Sequence, residues 1–271
     1  MRMNPLPESK ITLSDGKEVI VKRSNTPLLL LGVLILTYLS IRLTGFSLSV
    51  IFERIHQFFI ILQDMIPPNW SYSSKLWKPL FDTIKMSLLG SILGAICALP
   101  LAILAASNII KNRFLTVTSK LILSLLRTLP TLIVALIATF IFGLGTMAGT
   151  VAIFLFTIAY VGKLLYEQIE NADMGAFEAM HSMGLSTIQS FRYAIFPQIL
   201  PNYLSTALFC FEGNVRYASI LGYVGAGGIG LLLNESLGWR SYANVGIILL
   251  LLACTVFIIE IISEHFRKKL L

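Results

Sequence analysis

The chain has 271 residues, of which 56% are hydrophobic and 13% charged, roughly half the charged share of a soluble domain. Its net charge is +7, but the Lys and Arg residues stand beside apolar runs, which reads as membrane topology and attraction to anionic lipid rather than nucleic-acid binding. An ordinary soluble fold is therefore excluded, because several apolar runs exceed the roughly 18 residues needed to cross hydrocarbon.

Residues 1–26 are polar, hold Lys10, Lys17, Lys22 and Arg23, and lack the apolar stretch and small-residue cleavage site of a signal peptide. Within them Asp15-Gly16 lies between β-formers and predicts a hairpin turn. Pro27 to Thr44 is the first predicted span. From Phe46 to Pro68, Ile51, Ile55, Phe58, Leu62 and Met65 recur at helical spacing opposite Glu53, Arg54, Gln57 and Asp64, which predicts an interfacial helix ended by Pro67-Pro68. Trp70, Tyr72 and Trp77 follow as headgroup-level aromatics.

A second span is expected over Leu80 to Ile110, with Gly90 and Gly94 set for close approach of a neighbour and a kink at Pro100. Thr128 to Gly162 is uncharged and too long for one crossing. The break falls at "FGLGTMAG", Phe142 to Gly149, between a third span, about Leu121 to Ile141, and a fourth, about Thr150 to Tyr166. A fifth begins near Leu200 and a sixth covers Val245 to Ile262, before the basic Arg267, Lys268 and Lys269. The basic residues favour cytoplasmic N and C termini, although Arg54, Lys75, Lys78 and Lys85 fall in the outer loop after span one. Cys97, Cys210 and Cys254 lie in apolar segments without metal-type spacing and read as small core residues.

Between the fourth and fifth spans, "FEAMHSMGLSTIQSFRYAIFPQILP" interrupts the apolar pattern. Gly184 suits a left-handed helix end, and Ser186 with Gln189 fits a capping box that begins another helix. Leu185, Ile188, Phe191 and Ile195 form one apolar stripe, and Pro197 is expected to stop the helix before the next span. That stripe packs either on the protein's own spans and the membrane surface or into a partner's groove.

The same stretch resembles permease subunits of binding-protein-dependent ABC importers, whose cytoplasmic loop has the pattern E-A-A, three residues, Gly, nine residues, then I-x-L-P. Glu178, Ala179, Gly184 and Pro197 stand at matching positions, while Met180, Ala194 and Phe196 depart from it. Further stretches, "RTLP" at Arg127 to Pro130, "GLG" at Gly143 to Gly145, "GKLLYEQIE" at Gly162 to Glu170 and "NVRYASILGYVGAGGIG" at Asn214 to Gly230, are similar to phosphonate-importer permeases. The resemblance covers Pro79 to the C terminus.

It implies an all-α polytopic fold of the type I importer class, with about six spans. Residues 1–26 would be a cytoplasmic segment, 27–78 the first span and outer interfacial region, and 79–271 the permease core with a coupling loop at 167–198. Glu178, Ala179, Gly184, Leu185, Ile188, Phe191 and Pro197 would couple to a separate ATPase, which uses ATP and Mg; this chain binds no cofactor of its own. The implied partners are two ATP-binding subunits, an extracytoplasmic substrate-binding protein, a second copy or similar permease, and membrane lipid, with no nucleic acid. The substrate would be a phosphonate or related phosphorus oxyanion, or, in the same class of machine, another solute such as methionine. A secondary transporter is the other class, with Glu212 and Glu260 as its candidate ion-coupling groups.

Three further features bear on function. Gly225 to Gly230 satisfies G-x-G-x-x-G, but no strand precedes it and position 250 is Leu, so Gly225, Gly227, Gly228 and Gly230 read as a close helix crossing or bend. No P-loop occurs, so ATP hydrolysis falls to another subunit. Glu212 and Arg216, one turn apart in an apolar stretch, should pair or face a cavity; with Asn214 they are the candidate pathway residues. His56, His181 and His265 show no ligand spacing, and no catalytic cluster assembles.

Overall fold

The computed structural model describes residues 9–12, 18–21 and 26–270, and the chain divides into two compact units, residues 1–60 and 61–271. In the first, strands β1 (Ser9–Thr12) and β2 (Glu18–Val21) pair antiparallel, Ser9 opposite Val21 and Thr12 opposite Glu18. The Asp15-Gly16 turn expected between them lies outside the described residues. Helices α1 (Thr26–Thr44) and α2 (Leu48–Asp64) follow, and neither buries a residue.

The second unit is a helical bundle. Helix α3 (Ser73–Ala105) runs unbroken through Pro79 and Pro100, ending before the Ile110 expected from sequence. Then come α4 (Arg113–Thr128), α5 (Thr131–Phe142), α6 (Thr146–Glu170), α9 (Phe196–Leu221), α10 (Ile229–Gly238) and α11 (Tyr242–Leu270), with two short helices, α7 (Gly175–Ser182) and α8 (Thr187–Ser190), between α6 and α9. The described residues hold five helices long and apolar enough to cross a membrane, and the pair α4 and α5 makes a sixth crossing only if counted together.

That pair corrects the sequence reading. The third span is not one rod over Leu121 to Ile141 but two helices bent by 89°. Pro130 explains the break: it forces the preceding Leu129 out of the helical region, to φ −77° and ψ 120°. The next break falls at the glycines of "FGLGTMAG", where Gly143 and Gly145 have φ of +82° and +140°.

Close helix approach organises the core. A Cβ on Gly90 would sit 2.8 Å from Ile153, and one on Gly94 would sit 2.6 Å from Thr157, so α3 presses its backbone onto α6. Alanines 95, 98, 102 and 105 continue this small, buried face. The outward surface carries Leu89, Ile96, Phe257 and Ile258, all exposed, as expected of side chains that meet lipid. Of the three cysteines only Cys210 is in the core, whereas Cys97 and Cys254 point outward.

Candidate functional site

The segment joining α6 to α9 is built from two caps. At the end of α7, Leu185 N–H donates to Met180 O at 3.2 Å and Gly184 N–H to His181 O at 3.0 Å, with Gly184 at φ +92°. This is the Schellman pair, which requires a left-handed residue at the position Gly184 occupies. Immediately afterwards Ser186 and Gln189 form a reciprocal capping box, in which Ser186 N–H donates to Gln189 Oε1 at 3.0 Å. Two helices are thus held in a fixed angular relation by local chemistry.

The expected apolar stripe divides between two faces. Phe191 is 7% exposed and joins Phe177, Ile195 and Ile199 in a cluster with Ile169 of α6 and Ala106. Ile188 is 80% exposed, and Leu185 is half-buried. Phe191 therefore anchors the segment to its own bundle, and the free face consists of Glu178, Ala179, Met183, Ile188 and Tyr193. Three residues apart on a regular helical turn, Ile188 and Phe191 stand on adjacent faces rather than one, and the π-helical turn at 191–195 shifts the register only of the side chains that follow Phe191.

Pro197 does not stop the helix, contrary to the sequence reading. It occupies the first turn of α9, where a missing N–H costs little, and the π turn runs straight into it. A residue that sequence did not flag, Gln198, locks the base of the segment. Its amide accepts from Asp173 N–H at 3.1 Å and donates to Asp173 O at 3.1 Å and to Ala194 O at 2.8 Å. Nothing in the local pattern marks it, because Asp173 lies across a tertiary gap.

Further along α9, Glu212 is buried, with its side chain 5% exposed, and Arg216 pairs with it at 2.5 Å. The same guanidinium reaches Glu260 of α11 at 3.2 Å, and Arg267 approaches the other oxygen of Glu212 at 3.5 Å. Arg267 was read from sequence only as part of a basic tail; α11 continues as helix past Ile262 and carries it back beside α9. Arg216 also lines a cavity of about 420 Å³ with Phe156, Tyr160 and Tyr217. Pairing and facing a cavity are both satisfied.

Asn214 differs from its neighbours. It is buried, donating to Ser91 Oγ at 2.8 Å and Thr157 Oγ1 at 2.9 Å, and so ties α9 to α3 and α6 rather than lining a cavity. The glycine-rich stretch is a tight reversal between α9 and α10. Gly225, Gly227 and Gly228 all have positive φ, and a Cβ on Gly230 would overlap Ser219 O. Among the described residues no group of three or more His, Cys, Asp or Glu is placed to hold a metal ion.

Residues 98–271 match the family described as binding-protein-dependent transport system inner membrane component. The chain is 32% identical over 205 residues to the phosphite transport system permease protein PtxC of Stutzerimonas stutzeri, covering 76% of this chain and 74% of that one. It is 28% identical over 265 residues to the putative phosphite transport system permease protein HtxC of the same organism, covering 97% and 93%. Among solved structures, the inward-facing MetNI methionine ABC transporter superposes with a TM-score of 0.67 at 22% identity, covering 75% of this chain and 99% of that chain.

Proposed function

The chain belongs to the family of binding-protein-dependent transport system inner membrane components, and from that membership we propose that it translocates phosphite, phosphonates or related phosphorus oxyanions in an ATP-driven importer. It is a multi-pass membrane subunit, not an enzyme, and hydrolysis of ATP belongs to a separate ATPase. The proposed assembly has two such ATPases, an extracytoplasmic binding protein and a second copy of this chain or a similar permease, because one chain offers one coupling segment to a two-site motor. Both termini and the 175–195 segment would face the cytoplasm.

The observation that carries this reading is the exposed, doubly capped segment. Its outer face offers Ile188 and Met183 as apolar anchors and Glu178 as a polar contact, while Phe191 and Gln198 fix its inner face to the bundle. Such a face suits a groove on the ATPase, and closure of the paired ATPases would draw the two segments together and reorient the spans. For substrate, two relatives carry phosphite in their names, whereas the methionine transporter at 22% identity supports the fold alone. A guanidinium on an aromatic cavity also favours an oxyanion. A gradient-driven carrier is disfavoured because Glu212 and Glu260 are both engaged by Arg216.

The test is affinity purification in mild detergent of wild type and Gly184→Pro, with mass spectrometry of bound proteins. An ATPase retained by wild type and lost by the variant supports the assignment. Stable wild-type protein without an ATPase overturns it.

A further inference from the structure

The four charges on α9 and α11 stand between two cavities. One, of about 420 Å³, is aromatic and includes Arg216 in its wall. The other, of about 590 Å³, is lined by Ser205, Glu260, Glu264, Arg267 and Lys268, with Lys268 paired to Glu264 at 2.7 Å. Ser205 lies on the half of α9 nearer the 175–195 segment, about 16 Å along the helix from Arg216 at 1.5 Å per residue. The charge cluster therefore lies between a cavity along the far half of α9 and one nearer that segment.

The cluster is balanced, with Arg216 and Arg267 against Glu212 and Glu260, so an arriving anion would leave it net negative unless a carboxylate gives way. The two carboxylates are not equivalent. Glu212 is 5% exposed and held by both arginines, at 2.5 Å and 3.5 Å. Glu260 is 49% exposed and holds Arg216 alone, at 3.2 Å. Freeing Glu212 would strand a buried charge, whereas Glu260 opens onto the polar cavity it lines with Ser205, Glu264 and Lys268 and can turn into it at smaller cost.

Resting on the importer reading, we propose that Glu260 is a built-in competitor for the substrate. A phosphorus oxyanion replaces it on Arg216, matching the guanidinium fork with two oxygens, and then passes across the fixed Glu212 pair to Arg267, beside the paired Lys268 and Glu264. The competitor keeps occupancy weak enough for release, since a conducting site must bind well enough to admit its ligand and loosely enough to let it go.

The experiment uses the permease assembled with its ATPase, without the binding protein, and measures equilibrium binding of radiolabelled methylphosphonate and phosphite. Glu260→Gln should tighten binding roughly threefold or more, the scale of a half-exposed ion pair, and slow uptake at saturating substrate. The gain should vanish in the double variant Glu260→Gln, Arg216→Gln. Arg267→Gln should keep the binding and lose the uptake. Unchanged or weaker binding in Glu260→Gln, a gain that survives loss of Arg216, or wild-type uptake by Arg267→Gln overturns the proposal. Each is read with the ATPase present on the complex; absence of the ATPase from wild type instead overturns the importer reading on which it rests.

Discussion

Replacing Gly184 by alanine isolates the turn of the 175–195 segment from every other effect. A Cβ at this position meets nothing within 4 Å, so the change adds no clash. It does place a side chain at φ +92°, and a left-handed conformation costs an L residue about 1–2 kcal/mol. That corresponds to about a 5- to 30-fold fall in the ratio of formed to unformed turn. The turn holds two N–H bonds, from Leu185 and Gly184, and without them Glu178 and Ala179 on α7 lose their fixed angle to Ile188 on α8. Affinity of the purified permease for its ATPase should weaken by up to that factor. Thermal unfolding of the bundle should scarcely move, because the turn is exposed. Gly184→Asn should recover much of the affinity, since asparagine visits the left-handed region more readily. Wild-type ATPase affinity in Gly184→Ala would refute the reasoning, because docking would then not depend on the turn.

Phe191→Ala should destabilise the bundle by about 3–5 kcal/mol, as expected for a buried aromatic, and lower the melting temperature of the purified protein rather than only its ATPase affinity. Gly230→Ala drives a methyl group into Ser219 O, so the α9–α10 reversal must open, at a cost of about 1–3 kcal/mol; detergent-solubilised yield and thermal stability should both fall. Asn214→Ala removes hydrogen bonds to Ser91 and Thr157 and should cost about 1–2 kcal/mol in the membrane, measurable as a lower unfolding midpoint with ATPase binding retained.

Local chemistry was legible in the sequence wherever partners lie within one turn. Gly184 with Leu185, and Ser186 with Gln189, are read from spacing because their hydrogen bonds span five residues or fewer. Gly90 and Gly94 were legible for a related reason, since four-residue spacing places both on one helix face. Tertiary partners were not. Arg267 meets Glu212 only because α9 and α11 lie side by side, and Gln198 meets Asp173 across the base of a loop. Phe191 was misjudged for the same reason: spacing groups it with Ile188, but which edge of the stripe meets the bundle is decided by Ile169 and Ala106, which are distant in sequence.

The π turn at 191–195 links the two candidate sites. Phe196 N–H donates to Phe191 O, five residues back, which widens the helix where the ring of Pro197 would otherwise crowd the carbonyl of Tyr193. Helix therefore continues from α8 into α9 instead of ending at the proline. Glu212 lies sixteen residues beyond Phe196, or about 24 Å at 1.5 Å per residue. Gln198 fastens the start of this rod to Asp173, so the segment is held at its base while its outer face is free. On the importer reading, force applied at Ile188 passes along one helix to the residues that hold Arg216 and Glu260 apart or together. No flexible loop intervenes to absorb it, which is why a helix that runs through Pro197 suits coupling better than the interrupted one the sequence suggests.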